Sequence, residues 1–126
     1  MKNRRFVVQE HETAEGVHWD LMLESASGGF LTTFRLEEPP EQALGHPVRA
    51  ERIFDHPPRF LGYEGPVQKG TGRVHIVERG SWQLDEWRDD WLAFHLEGAI
   101  LSGPFTLVRT SETDWRLARA DAGRLR

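Results

Sequence analysis

Short runs of β-branched and aromatic residues recur along the chain between clusters of glycine, proline, serine and aspartate, a pattern that predicts a mainly β domain of antiparallel strands. The runs place strands near residues 5–9, 18–24, 30–35, 49–54, 72–78, 92–97, 100–109 and 115–119. Ser27-Gly28-Gly29 predicts a hairpin turn between the second and third strands, and Glu97-Gly98-Ala99 and Ser111-Glu112-Thr113-Asp114 predict later turns. Pro39-Pro40-Glu41-Gln42-Ala43-Leu44-Gly45 opens on proline and closes on glycine, which predicts one helical turn too short to stand alone. The acidic stretch Asp85-Glu86-Trp87-Arg88-Asp89-Asp90-Trp91 is expected to be a loop that packs Trp87 or Trp91 over a barrel end. Many short strands with at most one or two short helices make a small antiparallel β-barrel the expected architecture. One domain over residues 1–119 and a polar, frayed tail over 120–126 account for the chain without a repeat or a linker.

One of these runs carries chemistry. In His18-Trp19-Asp20-Leu21-Met22-Leu23-Glu24 a strand alternates its faces, so His18, Asp20, Met22 and Glu24 share one side and Trp19, Leu21 and Leu23 the other. His11 reaches the same place if Glu12-Thr13-Ala14-Glu15-Gly16-Val17 turns, which Gly16 eases. A carboxylate pointing inward from an apolar strand needs a cation or donors to offset its desolvation. His56, in Phe54-Asp55-His56-Pro57-Pro58, is a further candidate ligand, its backbone fixed by the two prolines. A mixed set of imidazoles and a carboxylate suits Mn²⁺, Zn²⁺ or a related divalent ion. Hydrogen-bonded structural histidines, with His56 capping its turn, are the competing explanation. His46, His75 and His95 lack an adjacent partner and are expected in exposed or core-edge roles.

Composition narrows the possibilities. At 126 residues, 38% hydrophobic and 29% charged, the chain has enough apolar mass for one core. No apolar run approaches the roughly 20 residues of a membrane-spanning helix. Met1-Lys2-Asn3-Arg4-Arg5 leads straight into Phe6-Val7-Val8 with no secretory segment, so a cytoplasmic location and no membrane partner are expected. With no cysteine, any metal must be held by nitrogen and oxygen donors. A net charge of -4 argues against broad coating of nucleic acid but leaves binding at a strand end open. There is no P-loop, Gly-x-Ser-x-Gly elbow, dinucleotide fingerprint or zinc-finger spacing. The glycine-rich Gly65-Pro66-Val67-Gln68-Lys69-Gly70-Thr71-Gly72-Arg73 predicts a tight connection between strands rather than an anion cradle.

Several segments together resemble the 3′-phosphoesterase domain of bacterial DNA ligase D proteins and its free-standing relatives. They are Arg5-Phe6-Val7-Val8-Gln9-Glu10-His11, His18 to Glu24, Asp55-His56-Pro57, Tyr63-Glu64-Gly65, Gly80-Ser81-Trp82, Leu96-Glu97-Gly98 and Leu101 to Arg109, in family order. The resemblance implies a compact barrel with a pocket for Mn²⁺, or for Zn²⁺ or Co²⁺. It further implies removal of a 3′-phosphate or 3′-terminal ribonucleotide from DNA or RNA ends, beside a ligase or polymerase of end joining. By position it implies His11, Asp20 and His56 as metal ligands, His18 as the histidine at the reacting phosphate, and Gln9 in support. The chain departs from the family pattern where Met22 replaces an arginine and Phe60 a tyrosine, both phosphate clamps, and Phe54 an acidic residue. Arg35, Arg52 and Arg59 are the candidates to compensate. The alternatives to an active phosphoesterase are an inactive metal- or DNA-end-binding module of the same fold, and a cupin-like metalloenzyme.

Overall fold

Eight strands close into a ring and a short ninth is appended to it. The computed structural model describes residues 4–67 and 72–120. Its strands are β1 (Arg4–Thr13), β2 (Gly16–Glu24), β3 (Leu31–Leu36), β4 (Val48–His56), β5 (Gly65–Pro66), β6 (Arg73–Arg88), β7 (Trp91–Gly98), β8 (Ser102–Arg109) and β9 (Asp114–Arg119). They are hydrogen-bonded in the order β1-β2-β3-β4-β9-β8-β7-β6-β5, and β1 also pairs with β6. Every pairing is antiparallel, so the mainly β, barrel-like expectation holds. The only helices among the described residues are two 3₁₀ helices, Pro40–Leu44, where one turn is expected, and Pro58–Leu61. The expected tail lies outside the described residues from 121 onward, as does the middle of the glycine-rich stretch, 68–71.

Alternation along each strand builds the core. Phe6 and Val8, Leu21 and Leu23, Phe34 and Leu36, Val48 and Ala50, Phe94 and Leu96, Phe105 and Leu107, and Trp115 and Leu117 all turn to one buried cluster inside the ring. The outer faces of β1, β2 and β3 are not uniformly polar. Val7, Met22 and Leu31 are buried there in a second cluster, against Phe60 and Leu61 of the 3₁₀ helix. Apolar residues on both faces explain why Phe6-Val7-Val8 and Leu21-Met22-Leu23 read as continuous runs. The helix is therefore a lid of chain over this outer face, and the polar residues beside the second cluster lie beneath it.

The acidic tryptophan stretch differs from its expectation. Residues 85–88 extend β6, and Asp89-Asp90 turn directly into β7, with Arg88 opposite Trp91 and Trp87 opposite Leu92. Cross-strand pairing of the large side chains outweighs the poor β-propensity of the acids. Arg52 lies over the Trp87 ring, 5.5 Å from its centroid, and Arg88 over Trp91 at 5.4 Å.

Candidate metal centre and its cleft

The β1–β2 hairpin creates the site. Its strands are joined by the two residues Ala14 and Glu15, with Thr13 opposite Gly16, so His11 stands directly opposite His18 and Gln9 opposite Asp20. Directly opposed residues share a face with Cβ atoms about 5 Å apart. The next pairing places Arg35 of β3 opposite Asp20. Local turn geometry and strand register thus gather two imidazoles, a carboxylate and a guanidinium on one patch of the barrel's outer surface.

The distances are those of a ligand set. His11 Nδ1 and His18 Nε2 are 3.0 Å apart. Asp20 Oδ2 lies 3.5 Å from His18 Nε2 and 4.0 Å from His11 Nδ1. Two ligand atoms each about 2.1 Å from one ion stand roughly 3.0–3.4 Å apart, so small rotations bring all three onto a shared centre. Asp20 is 3% exposed, and its Oδ1 is buried without a hydrogen-bond partner among the described residues. A buried carboxylate with one oxygen unpartnered and the other, Oδ2, beside two facing imidazole nitrogens fits a divalent cation. The His11 pKa is lowered, first by burial and then by the neighbouring His18, with Arg35 and His56 adding to the effect against the pull of Asp20. A depressed pKa keeps the imidazole neutral, the form that ligates.

Around the cluster lies a cleft of about 620 Å³, lined by Gln9, His11, Asp20, Met22 and Arg35 and, from the segment after β4, by residues that include Arg59, Phe60 and Tyr63. Arg35 approaches Asp20 Oδ1 with Nε at 3.7 Å, too far to be a hydrogen bond, and that Nε is buried and unpartnered. Gln9, buried, donates through Nε2 to the carbonyls of Phe60 (3.0 Å) and Tyr63 (2.9 Å), tying the 3₁₀ helix to β1. His56 Nδ1 faces two oxygens, Thr33 Oγ1 at 3.0 Å and the Phe54 carbonyl at 3.1 Å, while Thr33 donates its own hydroxyl to Leu31. Both neighbours accept, so the proton resides on Nδ1 and Nε2 is the free nitrogen.

The sequence-derived candidates are thus sorted by the fold. His11, His18 and Asp20 come together as one donor group. His56 lines the cleft but stands outside that group, with Nδ1 committed to the β3–β4 backbone region. Of the three arginines able to replace the clamp, Arg35 and Arg59 line the cleft and Arg52 is turned to Trp87. Arg35 carries no distinguishing local signal in sequence, since only the β2–β3 register brings it to Asp20.

A closed antiparallel barrel bearing a His/His/Asp cluster in an arginine-lined cleft on its outer face is the class that fold and site define. The sequence profile of the DNA Ligase D 3′-phosphoesterase domain matches residues 9–109, and the chain belongs to that family. It is 32% identical, over 97% of its length, to the multifunctional non-homologous end joining protein LigD of Pseudomonas aeruginosa. It is also 28% identical to the protein of the same name from Mycolicibacterium smegmatis over 90% of its length. A third relative, the multifunctional non-homologous end joining DNA repair protein LigD of Mycobacterium tuberculosis, is 29% identical over 87%. The chain spans only 16%, 16% and 15% of the length of these relatives. No helix among the described residues is long and apolar enough to cross a membrane.

Proposed function

We propose that this domain is a divalent-metal-dependent phosphoesterase that heals 3′ ends of DNA or RNA, removing a 3′-phosphate or a 3′-terminal ribonucleotide. The observation that carries the reading is the His11/His18/Asp20 cluster, half-buried at its imidazoles and buried and under-satisfied at Asp20, in a cleft whose other charged lining residues are cationic. Membership of the 3′-phosphoesterase family supports the same chemistry. His11, His18 and Asp20 are the residues to hold the ion, Mn²⁺ first and Zn²⁺ or Co²⁺ as alternatives. His18 and His56 thereby exchange the roles that the resemblance implies. Bound there, the ion would neutralise phosphoryl charge and make a coordinated water more acidic.

The chain's own groups do the rest. Arg35, a cleft-lining side chain over a third exposed, binds and orients the phosphoryl oxygens in place of the arginine absent at Met22. His56 is held in one orientation with its proton on Nδ1, so the Nε2 lone pair is the group that takes a proton from the attacking water as that water's bond to phosphorus forms and the bond to the departing 3′ oxygen breaks. Gln9 holds the 3₁₀ lid, with Phe60, down against Met22. A ligase or polymerase of end joining is the partner class that would consume the 3′-hydroxyl product.

Purified protein with Mn²⁺ and a primer-template bearing a 3′-phosphate should release inorganic phosphate, and Asp20→Ala should abolish the release. Absence of product with the parent protein at any divalent ion tried would end the hydrolytic reading. The apolar residues at Met22 and Phe60 favour a second reading, an end-binding module without turnover. It requires the inactive parent to bind 3′-phosphorylated ends, and any turnover defeats it.

A further inference from the structure

The largest unexplained expenditure of apolar surface in the molecule is Phe54. It is 70% exposed, against 45% or less for every other exposed large apolar residue among those described. It stands on β4 two residues before His56 and lines the mouth of the same cleft as His11, Asp20 and Arg35. One face of its ring is stacked on the His56 imidazole, with centroids 4.6 Å apart and planes 13° from parallel. The stack fixes the orientation of the ring while the opposite face stays bare. A phenyl ring has no hydrogen-bonding group, so the only recognition it offers is a flat π surface and the exclusion of water.

Its surroundings point to a ligand with both a ring and a negative charge. Arg59, also at the cleft mouth, lies over the Phe60 ring at 5.0 Å and has no ion-pair partner among the described residues. A cleft of about 620 Å³ falls in the range of about 300–1,000 Å³ typical of small-ligand sites. A phosphate at Arg35 and a planar ring at Phe54 are the two halves of one nucleotide.

We propose that Phe54 is the stacking platform for the nucleobase of the 3′-terminal nucleotide. A 3′-terminal base is covered by its 5′ neighbour on one face only, so its outer face can lie on the bare face of Phe54 without losing stacking elsewhere. The inference rests on the phosphoesterase reading for its substrate, and the experiment separates the two.

Hydrolysis is measured on two single-stranded 3′-phosphorylated oligonucleotides, one with a purine on the terminal sugar and one with a tetrahydrofuran abasic residue there. The parent should favour the purine end by about tenfold or more in kcat/KM, through KM, in line with base–aromatic stacking. Phe54→Trp should keep the preference, while Phe54→Ala and Phe54→Leu should lose it, the ratio of kcat/KM between the two ends falling to about one. An effect passed through His56 would lower kcat on both ends alike and leave that ratio unchanged. A parent indifferent to the base, or a Phe54→Ala variant that retains the preference, overturns the proposal. In parallel, metal-free protein is added to the same oligonucleotide carrying 2-aminopurine at its 3′ terminus. A fall in emission that Phe54→Ala abolishes supports the platform even if no phosphate is ever released, which would sink hydrolysis alone. No Phe54-dependent change in emission, without turnover, overturns the platform as well.

Discussion

Arg35 has two opposed effects on one site, and its removal separates them. Its guanidinium lies 3.7 Å from Asp20 Oδ1, so its positive charge competes with any cation that Asp20 would hold while attracting the phosphate that the cation would share. Arg35→Gln is therefore expected to tighten Mn²⁺ binding several-fold in a calorimetric titration. The same change should lower kcat/KM on a 3′-phosphorylated oligonucleotide by about 10²-fold or more, as for loss of one preorganised donor. Arg35→Lys should recover only part of the loss, because an ammonium lacks the bidentate fork. Weaker metal binding in Arg35→Gln would mean that the guanidinium merely props the carboxylate. His18 and Asp20 are readable from the sequence because strand alternation is a local property, and His11 follows from them across a short turn. The role of Arg35 is not readable, since it depends on which residue of β3 is laid against Asp20. The tautomer of His56 depends likewise on two oxygens contributed by its surroundings, Thr33 Oγ1 and the Phe54 carbonyl.

At the level of elements, the β1–β2 hairpin sets the histidines opposite each other, and β6 closes over their backs. Gly72, just before β6, has φ of +139°, a conformation that side chains rarely adopt. A Cβ there would lie 2.2 Å from the Glu12 carbonyl oxygen and 3.0 Å from His11 Nε2, the ring nitrogen turned away from the cluster. Gly72→Ala must therefore push the edge of β1 outward and rotate His11, the ligand whose other nitrogen faces His18. The expected result is a loss of about 1–3 kcal/mol of stability in urea unfolding, from strain at the special φ. Metal affinity should fall at least tenfold, because a displaced ligand is worth more than the strain itself. An alanine variant that unfolds earlier yet binds Mn²⁺ as the parent does would show that β6 is not what holds His11. Gly72 stands in a glycine-rich segment that the sequence marks as a connection, but its service to a particular histidine is not legible there. The acidic tryptophan hairpin shows the converse: local composition predicts a loop, and the pairing of Trp87 with Leu92 and Arg88 with Trp91 continues the sheet.

For the whole molecule, the decisive fact is that the site and the main core are on opposite sides of the same strands. The cluster that includes Phe6, Leu21, Phe34, Phe94, Phe105 and Trp115 lies inside the ring, and none of its members is a donor of the candidate centre. Each large apolar side chain so buried contributes on the order of 1.5–3 kcal/mol, independently of any ion outside. Buried Glu78 reinforces the ring by accepting the backbone N–H groups of Ala99, Ile100 and Leu101, again far from the metal chemistry in sequence and role. Stripping metal with a chelator should therefore leave the far-ultraviolet circular dichroism of the barrel unchanged, unlike a zinc finger, which unfolds. Restoring Mn²⁺ at about 100 times its dissociation constant should add about 2.7 kcal/mol and raise the melting temperature by several degrees. The gain should shrink as pH falls below the ordinary imidazole value of about 6.5, because protons then compete with the ion for His11. The apo protein should weaken over the same range. His11 has a depressed pKa when folded, so the unfolded chain takes up its proton first and stability declines until the folded value is passed. Replacing His11 by Gln should flatten that decline and remove the metal-dependent rise together. Collapse of the barrel on chelation would instead mean that the ion is a structural keystone, and that the cleft is not an open site grafted onto a self-sufficient fold.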